Sequence, residues 1–165
     1  MFRTFRLCLT LLCGLVAAPV ALGATIATGS GVLELESVNG TVVLNESRGM
    51  VWGQMDRGTL VVTDTVADDG SVLVSGAETI KPISGVDGVK LYRGTDIHFR
   101  VTGGKVRLSF KGRGIDLTAV GVGSAQLTGD LAFDEAGRYS VDNGKWLAVP
   151  WLQRSVSFPA PVSAP

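Results

Sequence analysis

Apolar and polar residues alternate along much of this chain, and the alternation predicts β-strands. A period of two places successive side chains on opposite faces of a strand, whereas no long stretch carries apolar residues at helical spacing. Short alternating runs separated by glycine-containing turns are typical of antiparallel sheets. We therefore expect an all-β fold of about ten or more short strands, arranged as an antiparallel β-sandwich or a partly closed barrel.

The most regular alternation lies on either side of Gly103-Gly104, a dipeptide that tolerates the positive φ angles of a two-residue hairpin turn. In a hairpin about that turn, residues 96–102 would face residues 105–111. All apolar members then fall on one face, and a register shift of one residue would destroy this separation. The predicted inward side chains are those of Ile97, Phe99, Val101, Val106, Leu108 and Phe110.

The two halves of the chain resemble each other, which suggests an internal duplication. A shift of 64 residues, or of 65 after one insertion, aligns seven identical residues in order, including Gly40 with Gly104. Because Asn39-Gly40 matches Gly103-Gly104, we predict a second hairpin turn there. The sequence thus predicts two copies of a unit of about 65 residues. They span residues 31–83 and 96–149, with residues 82–95 as their connection.

The amino terminus has the features of a secretory signal peptide. Arg3 and Arg6 precede an uncharged apolar run, Leu7 to Leu22, and Ala21-Leu22-Gly23 provides small residues for cleavage. The run has 16 residues, whereas a membrane-spanning helix needs about 20, which makes a retained anchor the weaker alternative. We expect residues 1–23 to be removed and the protein to be exported, to the periplasm, the extracellular space or the cell envelope.

The remaining chain is expected to form one domain. Residues 24–158 are long enough for a sizeable core, and residues 159–165 form a proline-rich, flexible tail. Both cysteines, Cys8 and Cys13, lie in the signal peptide, so the mature chain forms no disulfide and depends on packing.

The sequence shows no established catalytic motif, and we expect neither a cofactor nor a metal. His98 lies within a predicted strand, which favours a solvent-facing histidine over a catalytic triad. Glu34 and Glu36 project from one strand face about 6.5–7 Å apart, which overlaps the spacing of an inverting glycosidase but indicates no cleft. The cluster of Asp64, Asp68 and Asp69 lacks the spacing of a calcium loop and is typical of a turn.

Charge is the feature that exceeds background. Residues 24–84 carry a net charge of −5 and residues 85–165 a net charge of +3. In the predicted hairpin Arg100 faces Arg107, and like charges in such positions destabilise a sheet by up to about 1 kcal/mol. An anionic partner would remove that cost. The anion-binding candidates are His98, Arg100, Lys105, Arg107, Lys111 and Arg113.

These observations favour a non-enzymatic exported domain that binds an anionic component of the cell envelope. A lipid headgroup, a polysaccharide and an acidic protein surface all fit, whereas we expect no nucleic-acid partner. The oligomeric state stays open. The alternative is a small secreted hydrolase that acts on glycans through carboxylates the sequence does not identify. An enclosed cleft with convergent carboxylates would favour the hydrolase, and an open basic face would favour the binding domain.

Overall fold

The computed structural model of the chain describes residues 30–64, 66, 70–82 and 88–159. The predicted signal peptide, Asp68, Asp69 and the tail beyond Pro159 lie outside these residues. The described part is all-β, as predicted, and contains strands but no helix. The strands are β1 (Gly31–Asp64), β2 (Gly70–Pro82), β3 (Val89–Gly103), β4 (Val106–Gly129), β5 (Arg138–Val141), β6 (Leu147–Ala148) and β7 (Arg154–Phe158).

All of these strands belong to one antiparallel sheet. The hydrogen-bonded order is β2-β3-β1-β4-β7, and β5 pairs with β1 and β6 with β5. Among the described residues β2 and β7 lie at opposite ends of this order, so the sheet does not close into a barrel. The described strands are fewer and longer than predicted, because glycines expected to end strands lie within them.

β1 coils through the molecule. Its 34 residues would extend about 110 Å if straight, whereas a domain of this size has a radius of gyration of about 14 Å. Residues 106–112 of β4 pair with residues 40–46 of β1 on one edge and with residues 58–64 on the other. Two distant parts of β1 therefore lie only about 10 Å apart, two strand spacings, on either side of β4.

A nine-residue glycine spacing explains this coiling. In two places, strand pairing puts glycines opposite glycines, so that two rows of glycines run across the sheet. Several of them have φ near +150°, including Gly40 at 152°, Gly58 at 157° and Gly121 at 153°. Glycine within a strand is typical of tight bends and close backbone approach. The rows are Gly31–Gly121–Gly49 and Gly129–Gly40–Gly112–Gly58–Gly94.

The same spacing sets the core. Side chains alternate between the two faces of a strand, and nine is an odd number. The buried positions are therefore odd-numbered in one nine-residue segment and even-numbered in the next. Leu33, Val42, Val51 and Leu60 follow one another at this interval, and all four are completely buried. In β3 and β4 the series Ile97, Val106 and Ile115 does the same, with exposures of 0%, 5% and 0%.

For residues 96–111 the predicted strand pairing is wrong, whereas the predicted division into inward-facing and outward-facing side chains is correct. β3 and β4 are joined by a turn at Gly103 and Gly104, whose φ angles are 71° and 78°, but the two strands pair with β1 and not with each other. All six predicted inward side chains are buried. The rings of Phe99 and Phe110 meet in the core, with centroids 4.8 Å apart.

The other predicted turn and the predicted connection are also wrong. Asn39-Gly40 lies within β1, because Gly40 pairs with Gly112 on one side and Gly129 on the other. Gly40 and Gly104 therefore occupy different positions, a strand and a turn. Most of the predicted connection is β-structure, since β3 begins at Val89.

The buried side chain of Tyr139, on β5, provides a test of packing in the core. The residue is 1% exposed, and its buried hydroxyl finds no hydrogen-bond partner among the residues that the structure describes. A buried hydroxyl without a partner costs about 1–3 kcal/mol of desolvation, so Tyr139→Phe should leave the free energy of unfolding unchanged or raise it by about 1 kcal/mol. Urea denaturation measures this. A loss above about 1 kcal/mol would show that the hydroxyl has a partner in solution.

Candidate functional site

The six anion-binding candidates do not form one face. His98 and Arg100 pair across the sheet with Gln54 and Trp52 of β1. Arg107 pairs instead with Asn45 and Thr63. The expected repulsion between Arg100 and Arg107 is therefore wrong, because the two residues are not opposite each other. Lys105 lies in the β3–β4 turn, while Lys111 and Arg113 lie elsewhere, beside a glycine row.

Lys111 and Arg113 belong to a basic cluster that the sequence did not reveal as such. They line one surface hollow of about 540 Å³ together with Arg57 and Arg93. Gly58, Gly94 and Gly112, which pair across three strands, form part of its lining. We call this cluster the basic corner, defined by Arg57, Arg93, Lys111 and Arg113.

Two of these cations are direct cross-strand partners. Arg57 of β1 lies opposite Arg113 of β4, and both side chains are exposed. Like charges in such positions destabilise a sheet. Within the described part of the chain neither arginine forms a salt bridge. This like-charge pair was not predicted from the sequence, which placed the pair at Arg100 and Arg107.

The acids around the basic corner only partly balance it. Glu78 and Asp130 line the same hollow, which leaves four cations against two carboxylates. The Glu78 carboxylate accepts a hydrogen bond from the Thr95 hydroxyl at 3.0 Å. The Asp130 carboxylate accepts one from the Ala132 backbone N–H, also at 3.0 Å. The hollow therefore has an excess of positive charge that an anionic group can neutralise.

A second surface hollow adjoins the predicted carboxylates Glu34 and Glu36. Cross-strand pairing places Trp52 between Arg100 and Thr118, and Thr118 lies next to Glu34. These residues form a row across the outward side of the sheet. Glu34 and Trp52 line one hollow of about 600 Å³ together with Glu36, Gln54, Asp116 and Trp146.

Glu36 is held by an arginine rather than poised for acid catalysis. Arg138 Nη2 and Nε donate hydrogen bonds to the two Glu36 carboxylate oxygens at 2.7 and 2.9 Å. These hydrogen bonds lower the pKa of Glu36 below its usual value and raise the pKa of Arg138. A general acid of a glycosidase needs the opposite shift, so Glu36 is unsuited to that role.

His98 and Asp116 also have simple structural roles. His98 is exposed, as predicted, and its Nε2 lies 3.1 Å from Asp96 Oδ1. Asp116 accepts hydrogen bonds from the Ser37 backbone N–H at 2.7 Å and from Gln54 Nε2 at 3.2 Å. It thereby supports the irregular backbone at Ser37, where φ is 51°.

Sequence reasoning missed Arg57 and Arg93 because they lie outside the predicted basic hairpin. The glycine spacing was the available signal. Gly58, Gly94 and Gly112 share the nine-residue phase, so a register that aligned them would have placed the neighbouring Arg57 and Arg113 together.

Neither a metal site nor a membrane-spanning helix is found where the structure is described. Those residues contain no group of three or more histidine, cysteine, aspartate or glutamate side chains able to hold a metal ion. They also form no helix of the length and hydrophobicity that crossing a membrane requires. No protein-family model, curated protein or solved structure matches this chain.

Proposed function

We propose that this protein is an exported, non-enzymatic binding domain that attaches to an anionic component of the cell envelope through the basic corner. The observation that carries the proposal is the direct opposition of Arg57 and Arg113 on neighbouring strands. This arrangement costs stability in the free protein, and an anion bound between the two guanidinium groups removes that cost. Arginine suits the role because its planar fork binds phosphate and carboxylate groups in a bidentate manner.

The surroundings of this pair support an extended anionic ligand over a single small ion. Arg93 on β3 and Lys111 on β4 extend the positive region to both strands that pair with β1 at Arg57. The hollow is open to solvent. Phe133 adds an apolar surface to the lining. Phosphate groups of lipids and carboxylate groups of acidic polysaccharides both carry the required charge.

A glycan hydrolase is the second candidate function, since Glu34 and Glu36 line a hollow of suitable size. Its weakness is the lowered pKa of Glu36, which keeps this carboxylate ionised. Hydrolysis would need another acid from the same surface. Release of reducing sugar ends from a glycan would establish this alternative.

We also propose that the sheet folds over along its glycine rows into the two layers of a sandwich around the core. The parity change of buried residues at each nine-residue interval supports this arrangement. A duplication of residues 31–83 and 96–149 belongs to the same proposal. The glycine spacing supports a repeat in a different alignment, because a shift of seven such intervals, 63 residues, aligns Gly31, Gly40, Gly49 and Gly58 with Gly94, Gly103, Gly112 and Gly121.

The double variant Arg57→Ser, Arg113→Ser tests the basic corner. It should weaken binding to an anionic ligand at least tenfold, because each charge-assisted hydrogen bond contributes about 1.5–3 kcal/mol. Binding by the wild type should also fall as salt rises, since exposed charges are screened over about 8 Å at physiological ionic strength. The measurement is titration with phosphatidylglycerol vesicles and, separately, with polygalacturonate, which distinguishes lipid phosphate from sugar carboxylate.

The control is Arg48→Ser, Arg107→Ser, which removes the same charge from exposed positions outside the basic corner. This variant should bind nearly as well as the wild type. Equal loss in both double variants would show a general charge effect, and no loss in the first would refute the proposed site. The first variant should also unfold at an equal or slightly higher urea concentration, since it removes a like-charge pair.

A further inference from the structure

All three tryptophans of the chain are partly exposed. Trp52, Trp146 and Trp151 have exposed fractions of 39%, 43% and 40%. Tryptophan is highly buried on average, and contiguous apolar surface on a soluble protein marks an interaction site. Each indole therefore leaves part of its surface available to a ligand.

The three indoles line two surface hollows that share residues. Trp52 and Trp146 line the hollow of about 600 Å³ described above, and Trp146 and Trp151 line a second hollow of about 640 Å³. The two hollows share Glu36, Ser37 and Trp146, so they adjoin. We call this surface the tryptophan groove, defined by Trp52, Trp146 and Trp151.

Carboxylates supply several hydrogen-bond acceptors along the tryptophan groove. Glu34 and Asp116 line the first hollow, and Asp134 and Glu135 line the second. The one arginine, Arg138, already donates to both carboxylate oxygens of Glu36. An ionised carboxylate accepts hydrogen bonds and donates none, so a matching ligand must supply several donors.

We propose that the tryptophan groove binds a neutral saccharide chain. A sugar ring has an apolar face of C–H groups, which packs on the negative face of an indole. Around its edge it has several hydroxyl groups, which donate to the carboxylates beside the tryptophans. Three indoles along two adjoining hollows provide surfaces for successive rings of one chain. This site is separate from the basic corner and does not depend on it.

Other ligand classes fit these groups less well. An acidic polysaccharide or a phospholipid would bring negative charge against the carboxylates of Glu34, Asp134 and Glu135. A proline-rich peptide also packs on aromatic grooves, but proline has no backbone N–H and would leave the acceptors without donors. The neutral saccharide satisfies both the apolar and the polar parts of the groove.

Part of the groove is held in place by contacts within the protein. The Arg138 guanidinium lies 5.2 Å from the centre of the Trp146 ring, while its hydrogen bonds to Glu36 fix it across the β1–β5 pair. Trp146 is thus held against Arg138 by a cation–π contact. Such preorganisation lowers the entropy lost on binding.

Binding is tested with the exported chain on an array of neutral and acidic glycans, followed by titration with the best neutral oligosaccharide. Because all three tryptophans line the groove, intrinsic fluorescence should shift on binding. Trp146→Ala should weaken binding about tenfold or more, since Trp146 contributes to both hollows. Trp146→Phe, which keeps an aromatic face, should retain part of the affinity.

Leu152→Ala is the matched control, because Leu152 is 84% exposed and lies outside both hollows. It should bind as the wild type does, as should Arg57→Ser, Arg113→Ser. Binding to no neutral glycan, binding that Trp146→Ala leaves intact, or preference for a proline-rich peptide would each overturn the proposal. Loss of anion binding in the arginine variant with saccharide binding retained would show that the two sites are independent.

Discussion

Gly112→Val is expected to destabilise the fold by about 3 kcal/mol or more, beyond the usual cost of an oversized side chain in a packed site. Gly112 pairs with Gly40 on one side and Gly58 on the other. A Cβ atom there would overlap the Arg57 carbonyl oxygen and lie 2.9 Å from both Gly58 Cα and Met55 Sδ. The clash is with backbone, which cannot rotate away, so the strands would have to separate.

Thermal or urea denaturation measures this effect. A loss of 3 kcal/mol corresponds to a fall of roughly 6–12 °C in Tm for a chain of this size. Thr118→Val is the control, because it places the same side chain in the same strand at a half-buried position and only replaces a hydroxyl by a methyl group. If both variants were as stable as the wild type, β1 and β4 would not approach as closely at Gly112 as the structure indicates.

The fold class and the inward-facing residues could be predicted from the sequence because both follow from local alternation. Ile97, Phe99 and Val101 are buried regardless of which strand lies beside them. Strand pairing was harder to predict from the sequence, because a Gly-Gly dipeptide that permits a hairpin also permits a bend between strands that pair with other strands. Gly103-Gly104 forms such a bend, since β3 and β4 each pair with β1 and not with each other.

The candidate site depended on that pairing and was correspondingly harder to predict. Lys111 and Arg113 were identified from charge alone, but their partners come from β1 and β3, about 20 or more residues away in sequence. The tryptophan groove could not be predicted from the sequence for the same reason. Trp52 and Trp146 are 94 positions apart. Strand pairing brings them to one surface, since Trp52 lies in a row with Thr118 and Glu34 and β5 pairs with the first residues of β1.

Deletion of Gln54 is expected to abolish folding, although its side chain is exposed. Residues 55–64 of β1 would move by one position relative to β3 and β4, which sends inward side chains to the opposite face. Met55, Leu60 and Val62 are at most 3% exposed, and each contributes about 1.5–3 kcal/mol on burial. Their combined loss, together with the displacement of Gly58 from its row, is comparable to the whole stability of a domain, about 5–15 kcal/mol.

The substitution Gln54→Ala separates the effect of register from that of the side chain. It removes the hydrogen bond that Gln54 donates to Asp116 but leaves every strand partner in place, so stability should fall by about 1 kcal/mol or less. Insertion of one glycine after Gly104 should also be tolerated, since it lengthens the β3–β4 turn without shifting either strand. Soluble yield, circular dichroism and urea denaturation distinguish the three variants. A folded deletion variant would mean that β1 can slip past β4 by one residue, which the nine-residue alternation of faces does not permit.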